Sequence, residues 1–267
     1  METRRSGYAP VNGLQLYYEI DGIGEPMVYL AAGFAVAGVT RLTGVTSRRQ
    51  VISLDPQGRG RTADIDLPLR FEQQAKDVIG LLDHLGIDKV DLLGECVGGI
   101  IAMLVAIRHP ERVKRVATYG SALGPFDQAY KPEIIQGAMQ LAADSPVLEF
   151  QRSHYREVAP NPDGWAAIFS KFNNTPWNGL SAEEMRAVMV PVLIAVGDHD
   201  WLRVDAALEY FQCIPGAELA VIPDAGHFVL DAEPQKLLPV LENFLDRAGA
   251  KLPFAKTTTP YLRGVSR

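Results

Sequence analysis

Apolar and polar positions along the chain change period repeatedly. Leu14–Ile20 ("LQLYYEI") alternates and is rich in β-formers, and "DGIGEP" follows as a turn, which predicts an early hairpin. Met27–Gly33 and Gln50–Asp55 are short apolar runs that stop at Gly or Asp-Pro, as buried parallel strands do. In the next stretch Ala75, Val78, Ile79, Leu82 and Leu85 recur at helical spacing, with Gly86 as the stop. "KVDLL" predicts another strand, and the apolar run after Cys96 predicts a helix ended by His109-Pro110. "RVATYGS" returns to strand. After an interruption come the strand of "VPVLIAVGDHD", the helix "DAALEYFQCI", the strand "AELAVI" and a last helix from Pro234 to Arg247.

This alternation predicts a mostly parallel central sheet flanked by helices on both faces. The interruption, residues 125–189, has Pro, Trp and Asn clusters and helical stretches without a convincing strand. It is expected to be a helical cap inserted into a core made of residues 1–124 and 190–250, with 251–267 a loosely docked tail. Ligands in such sheets sit at the carboxyl ends of the strands. Gly33, Gly94, Gly197 and Gly226 all fall at or soon after strand ends, so their loops should share that rim.

Composition narrows the class. With 267 residues, 47% hydrophobic and 22% charged, the chain is an ordinary globular one that needs no staples. A formal charge of −6 argues against a nucleic-acid surface, and the pairs Arg4-Arg5 and Arg48-Arg49 are too short to reverse that. No apolar run approaches the ~18 residues of a membrane span. No apolar stretch follows the basic residues of "METRRSGYAPVNG", so a cytoplasmic location is expected. Two cysteines, Cys96 and Cys213, make neither a disulfide framework nor a zinc site.

The chemistry centres on Gly94–Gly99, "GECVGG". A G-x-C-x-G between strand and helix is the setting of a nucleophile elbow: small residues let the chain turn sharply and the side chain between them projects from the corner. The N–H groups of the helix start point at the same spot. Two more motifs follow in order. "IAVGDHD" offers Asp198 and Asp200 just past a late strand, where a carboxylate can orient a histidine. "IPDAGHF" places His227 in a Gly-flanked loop after the last strand.

These motifs, with "DPQGRGRT" after the second apolar strand and "LLGECVGGIIAMLVAIRHPERV", resemble the α/β-hydrolase superfamily in its bacterial cap-bearing branch, over about residues 8–247. The resemblance implies the α/β-hydrolase fold and a triad of Cys96, Asp200 and His227, since the branch's acid ends a G-x-x-D. It implies an oxyanion hole from the backbone N–H groups of Phe34 and Val97. The chain departs from the pattern at several points. Cys96 replaces serine, as in dienelactone hydrolases and polyhydroxyalkanoate synthases. Ala32-Gly33 replaces the usual His-Gly, Arg59 stands where a histidine is common, and the Gly33–Arg49 segment is short enough to reduce the first helix.

A thiol nucleophile forms a thioester, which reacts with water, amines, thiols or enolates. The expected function is an acyl-enzyme hydrolase of a small ester, lactone or thioester. An acyltransferase or cyclase with the same triad, and a ligand-sensing protein with little turnover, are the alternatives. The expected partner is a small acyl substrate, with neither cofactor nor metal; His84, His109 and His154 lack ligand spacing. Trp165, Phe169, Phe172 and Trp177 follow one apolar side of a helix and its following loop and are candidate pocket residues. Cys213 lies on a helical apolar stripe and reads as core, and Ser121 reads as a turn residue.

Overall fold

The structure, a computed structural model, describes residues 4–37, 42, 45 and 48–247. Eight strands form one sheet: β1 (Arg5–Val11), β2 (Leu14–Asp21), β3 (Glu25–Leu30), β4 (Arg49–Leu54), β5 (Val90–Glu95), β6 (Val113–Tyr119), β7 (Val192–Gly197) and β8 (Glu218–Ile222), in the order β1-β2-β4-β3-β5-β6-β7-β8. From β4 across to β8 every neighbouring pair is parallel, while β2 runs antiparallel to both β1 and β4.

The early hairpin has a different partner from the one expected. β2 pairs with β1 upstream, in the register Val11↔Leu14, through Asn12-Gly13 at φ 49° and 86°. Positive φ at both turn residues fits the twist of two antiparallel strands. The "DGIGEP" turn leads instead into β3, which β4 separates from β2. β1 was hard to read because Gly7 and Pro10 dilute its strand signal.

Successive residues of the inner strands point to opposite faces. Val28, Leu92 and Ile194 pack on the side of α1 (Phe71–Leu85) and α2 (Val97–Arg108), whereas Tyr29, Leu93 and Ala195 pack on the side of α10 (Pro234–Leu245). α1 buries one face through Phe71, Ala75, Val78 and Leu82, and stops at Gly86 in the left-handed conformation, φ 66°. α2 shows no stripe because Val97 to Ala106 are buried all round, as befits a helix between a sheet and another helix.

Between β6 and β7 lie α3 (Phe126–Ala129), α4 (Pro132–Met139), α5 (Glu149–Val158), α6 (Trp165–Asn173) and α7 (Ala182–Arg186). This block has a small core of its own: Leu148, Tyr155, Ala159, Trp165, Ile168 and Phe169, with Phe34 packed against it. After β7 come α8 (Val204–Cys213), and after β8 α9 (Val229–Ala232). The expected shortening of the first helix rests largely on residues 38–47, most of which lie outside the described ones, as does the tail 251–267. Among the described residues no helix is long and apolar enough to cross a membrane.

The parallel strands end together. Leu30 pairs with Gly94, Glu95 with Tyr119, Tyr119 with Ala195, and Gly197 with Ile222. The loops that leave these residues carry Phe34, Cys96, Asp200 and His227.

Candidate active site

Cys96 occupies the corner between β5 and α2 at φ 55°, ψ −120°. Few non-Gly residues adopt this region, and holding one there costs ~1–3 kcal/mol. The surroundings hold it: Cys96 N–H donates to Tyr119 O at 2.9 Å, and Gly99 N–H donates to Cys96 O at 3.1 Å. The motif glycines follow from closeness. A Cβ on Gly94 would lie 2.4 Å from Gly98 O, one on Gly98 1.9 Å from Leu30 O, and one on Gly99 1.9 Å from Ser121 Oγ. Ser121 is buried and donates to Tyr119 O at 3.1 Å, so it backs the corner.

His227 and Asp200 meet at this rim, both buried. His227 Nδ1 lies 2.7 Å from Asp200 Oδ1, which also accepts the Leu202 N–H at 2.9 Å. Asp198 is more exposed and accepts the Ala225 N–H at 3.2 Å, away from the imidazole. Of the two candidate carboxylates, Asp200 is the one on His227. Burial opposes a charge on His227, but Cys96 and Asp200 overcome it and push its pKa up to about 10. His227 Nε2 is buried and without a hydrogen-bond partner.

Phe34 lies in the turn after β3, where Ala35 N–H donates to Ala32 O at 2.8 Å. Val97 is the first residue of α2, so its N–H has no partner one turn back. The clash that a Gly98 side chain would make with Leu30 O shows how closely this helix start approaches the end of β3.

Several residues at the rim escaped sequence reasoning. Tyr130 Oη is 3.5 Å from Cys96 Sγ and donates to Gly120 O at 3.4 Å. Burial first, then the neighbouring Cys96, pushes its phenol well above the usual range. Its place is set by a bridge to Leu202, with Lys131 N–H on Trp201 O at 2.9 Å and Arg203 N–H on Ala129 O at 3.0 Å. Trp201 stacks on the His227 ring, centroids 4.1 Å apart and planes 10° apart. Glu95 is buried beside the cysteine; it accepts Tyr29 Oη at 2.9 Å and leaves Oε1 without a partner. Burial pushes its carboxyl up to about 7. Position next to the nucleophile was the only sequence signal for Glu95, and Tyr130 had none, because a link across 34 residues leaves no local pattern.

The four candidate pocket aromatics separate. Trp165, Phe169 and Phe172 surround the Phe34 ring at centroid distances of 4.9, 5.8 and 4.7 Å. Trp177 lies apart: its indole donates to Ala122 O at 3.0 Å and Gly124 O at 3.1 Å, and its ring meets Phe71 edge-on. Cys213 is half-buried against the main core. His84 packs on Tyr18, His109 approaches Glu111 and His154 stacks on Phe150, all separate from one another.

The family profile for the alpha/beta hydrolase fold matches residues 39–164. A mouse protein named serine hydrolase BPHL is 28% identical over 240 residues, covering 83% of this chain and 80% of its own. The 2-hydroxymuconate semialdehyde hydrolase of Pseudomonas putida is 29% identical over 221 residues, 76% of this chain and 79% of its own. The crystal structure of the enol-lactonase from Burkholderia xenovorans LB400 superposes with a TM-score of 0.72 at 23% identity, covering 90% of this chain and 100% of that one. Strand order and these matches show that the chain has the α/β-hydrolase fold.

Proposed function

We propose that the protein is a hydrolase that forms an acyl-enzyme on Cys96, acting on a small ester, lactone or thioester. One observation carries this reading: a buried His227–Asp200 pair at 2.7 Å, its imidazole acted on directly by a cysteine on a strained strand–helix corner. The two sequence relatives are both named hydrolases, which supports the same reaction class.

In this mechanism His227 takes the Cys96 proton and Asp200 stabilises the resulting imidazolium. The sulfur attacks the substrate carbonyl carbon, and the N–H groups of Phe34 and Val97 hold the oxyanion. Collapse breaks the bond to the leaving alcohol or thiol, which takes its proton from His227. Water, deprotonated by His227, then attacks the thioester and releases the acid. Tyr130 lies against the sulfur, and when the thiolate forms its neutral hydroxyl turns its one hydrogen from the Gly120 carbonyl to the sulfur. Residues 125–189 serve as a cap, seated on the oxyanion loop through the aromatic cluster around Phe34, and they limit water at the thioester. A covered thioester also favours acyl transfer as the second reading.

Intact-protein mass spectrometry after exposure to activated esters, lactones and thioesters tests the proposal. The expected result is one acyl adduct, mapped to Cys96 and released by water, with an added amine drawing off the share that goes to transfer. The absence of any adduct on Cys96 across the panel would overturn it.

A further inference from the structure

The segment that carries Phe34 is tied at two points by the turn after β4. Asp55, buried, accepts the Ala37 N–H at 2.6 Å and the Arg61 N–H at 2.8 Å. Arg59 donates Nη1 to the carbonyl oxygen of Gly33 and Nη2 to Gln74 Oε1. Its guanidinium also lies over the Phe172 ring, 5.7 Å from the centroid.

Arg59 is an unusual tie. It is only 2% exposed, and Asp55 attracts it without pairing with it, being engaged by the Arg61 guanidinium at 3.5 Å instead. Burial pulls Arg59 down to about 10, so it stays charged at neutral pH. A buried cation without a carboxylate partner is costly, and a neutral side chain could fill the same space without that cost. A role in packing alone does not account for the charge.

The geometry gives the charge a use. A trans peptide holds its C=O and N–H on opposite sides of one plane. Fixing the Gly33 oxygen on Arg59 therefore turns the Phe34 N–H away from Arg59. A cation on the carbonyl oxygen also draws electron density through the amide and strengthens the N–H as a donor. We propose that Arg59 is a positioning residue for the oxyanion hole, orienting and polarising the Phe34 N–H through the Gly33 carbonyl. The inference rests on the acyl-enzyme reading above.

The test compares reactions at Cys96 that do and do not build an oxyanion. Wild type, Arg59→Met and Arg59→Lys are measured for kcat and KM with 4-nitrophenyl acetate, for affinity toward a trifluoromethyl ketone, and for alkylation by iodoacetamide, which displaces iodide without forming an oxyanion. Arg59→Met should lower kcat and ketone affinity roughly 10- to 100-fold, below the ~10²–10³ lost when a donor is removed outright. KM and the alkylation rate should stay near wild type. Arg59→Lys, which keeps the charge without the fork, should recover part of the loss and serves if Arg59→Met does not fold. Equal loss in acylation and alkylation, or no loss in either, overturns the inference. Failure of wild type to acylate at Cys96 overturns the underlying reading and this inference with it, and is seen without any variant.

Discussion

The two ends of the parallel sheet treat buried charge differently. At the amino ends of the strands, Arg49 pairs with Asp91, donates to Leu245 O at 2.7 Å and reaches Asp246 at 3.0 Å, while Arg115 approaches the other oxygen of Asp91 at 3.4 Å. Every charge there has an opposite charge beside it. At the carboxyl ends, Arg59 has a carbonyl and an amide in place of a carboxylate, and Arg59 Nε, Gln74 Nε2, Glu95 Oε1, Asp200 Oδ2 and His227 Nε2 are buried without partners. Buried polar atoms are normally satisfied. The paired charges at the first end tie the strands to helix α10, whereas the second end, where the Cys96 corner and the His227–Asp200 pair lie, carries buried polar atoms that no described residue satisfies.

The largest effects should break the second end alone. Cys96→Ala should abolish the acyl adduct and leave the thermal midpoint near wild type, because Ala fits the corner; an adduct that persists, once Cys213 is excluded by peptide mapping, would sink the nucleophile assignment. Asp200→Asn should lower kcat/KM by up to ~10⁴-fold, since an amide can hold the wrong imidazole tautomer. The exposed Asp198, changed to Asn, should leave it unchanged. The opposite ranking of these two variants would show that the His227–Asp200 contact is structural.

The first end should break in the other currency. Asp91→Asn leaves Arg49 and Arg115 buried beside a neutral group, and removing one partner of a buried pair costs about 3–5 kcal/mol. Urea denaturation should record that loss, while kcat/KM of the folded fraction stays at the wild-type value. A matched fall in kcat/KM would mean that the two ends are coupled through the sheet.

Much of this division was legible in the sequence. Strand and helix periods marked β3 to β8 and the helices around them, because parallel strands are buried runs and the helices between them are long. Cys96 was legible because it lies in a local motif whose glycines the geometry requires: Gly94, Gly98 and Gly99 each face a backbone or side-chain atom closer than any Cβ allows, whereas His227 was legible from its order after the last strand, a Cβ on Gly226 meeting nothing within 4 Å. What was hidden depends on contacts between distant segments. Arg59 was visible as a departure, yet its bond to Gly33 spans 26 residues. Trp201 follows the acid and still had no pattern to announce that it stacks on His227. β1 was missed for the opposite reason: the Asn12-Gly13 turn is a strong local signal, but the strand before it contains Gly and Pro.

The smallest effect concerns Glu95, and it separates a satisfied end from an unsatisfied one by pH. Burial raises this carboxyl to about 7 from an ordinary value of 4.5, against the hydrogen bond from Tyr29; Asp231 and Asp200 raise it further, and His227 lowers it. Between about pH 4.5 and 7 the folded chain therefore holds a proton that the unfolded chain has released. The folded state binds more protons there, so this group's contribution to stability falls as pH rises through that window and is lowest above it. Glu95→Gln keeps the shape of the protonated acid and removes the titration. The variant should match wild type near pH 5 and exceed it near pH 8, by an amount on the order of 2 kcal/mol. Urea midpoints at the two pH values measure this difference directly. His227 titrates in both proteins, so the difference between wild type and variant isolates Glu95. If the two proteins keep a constant gap from pH 5 to 8, Glu95 is ionised throughout, and the partnerless Oε1 has found a donor that the folded chain supplies.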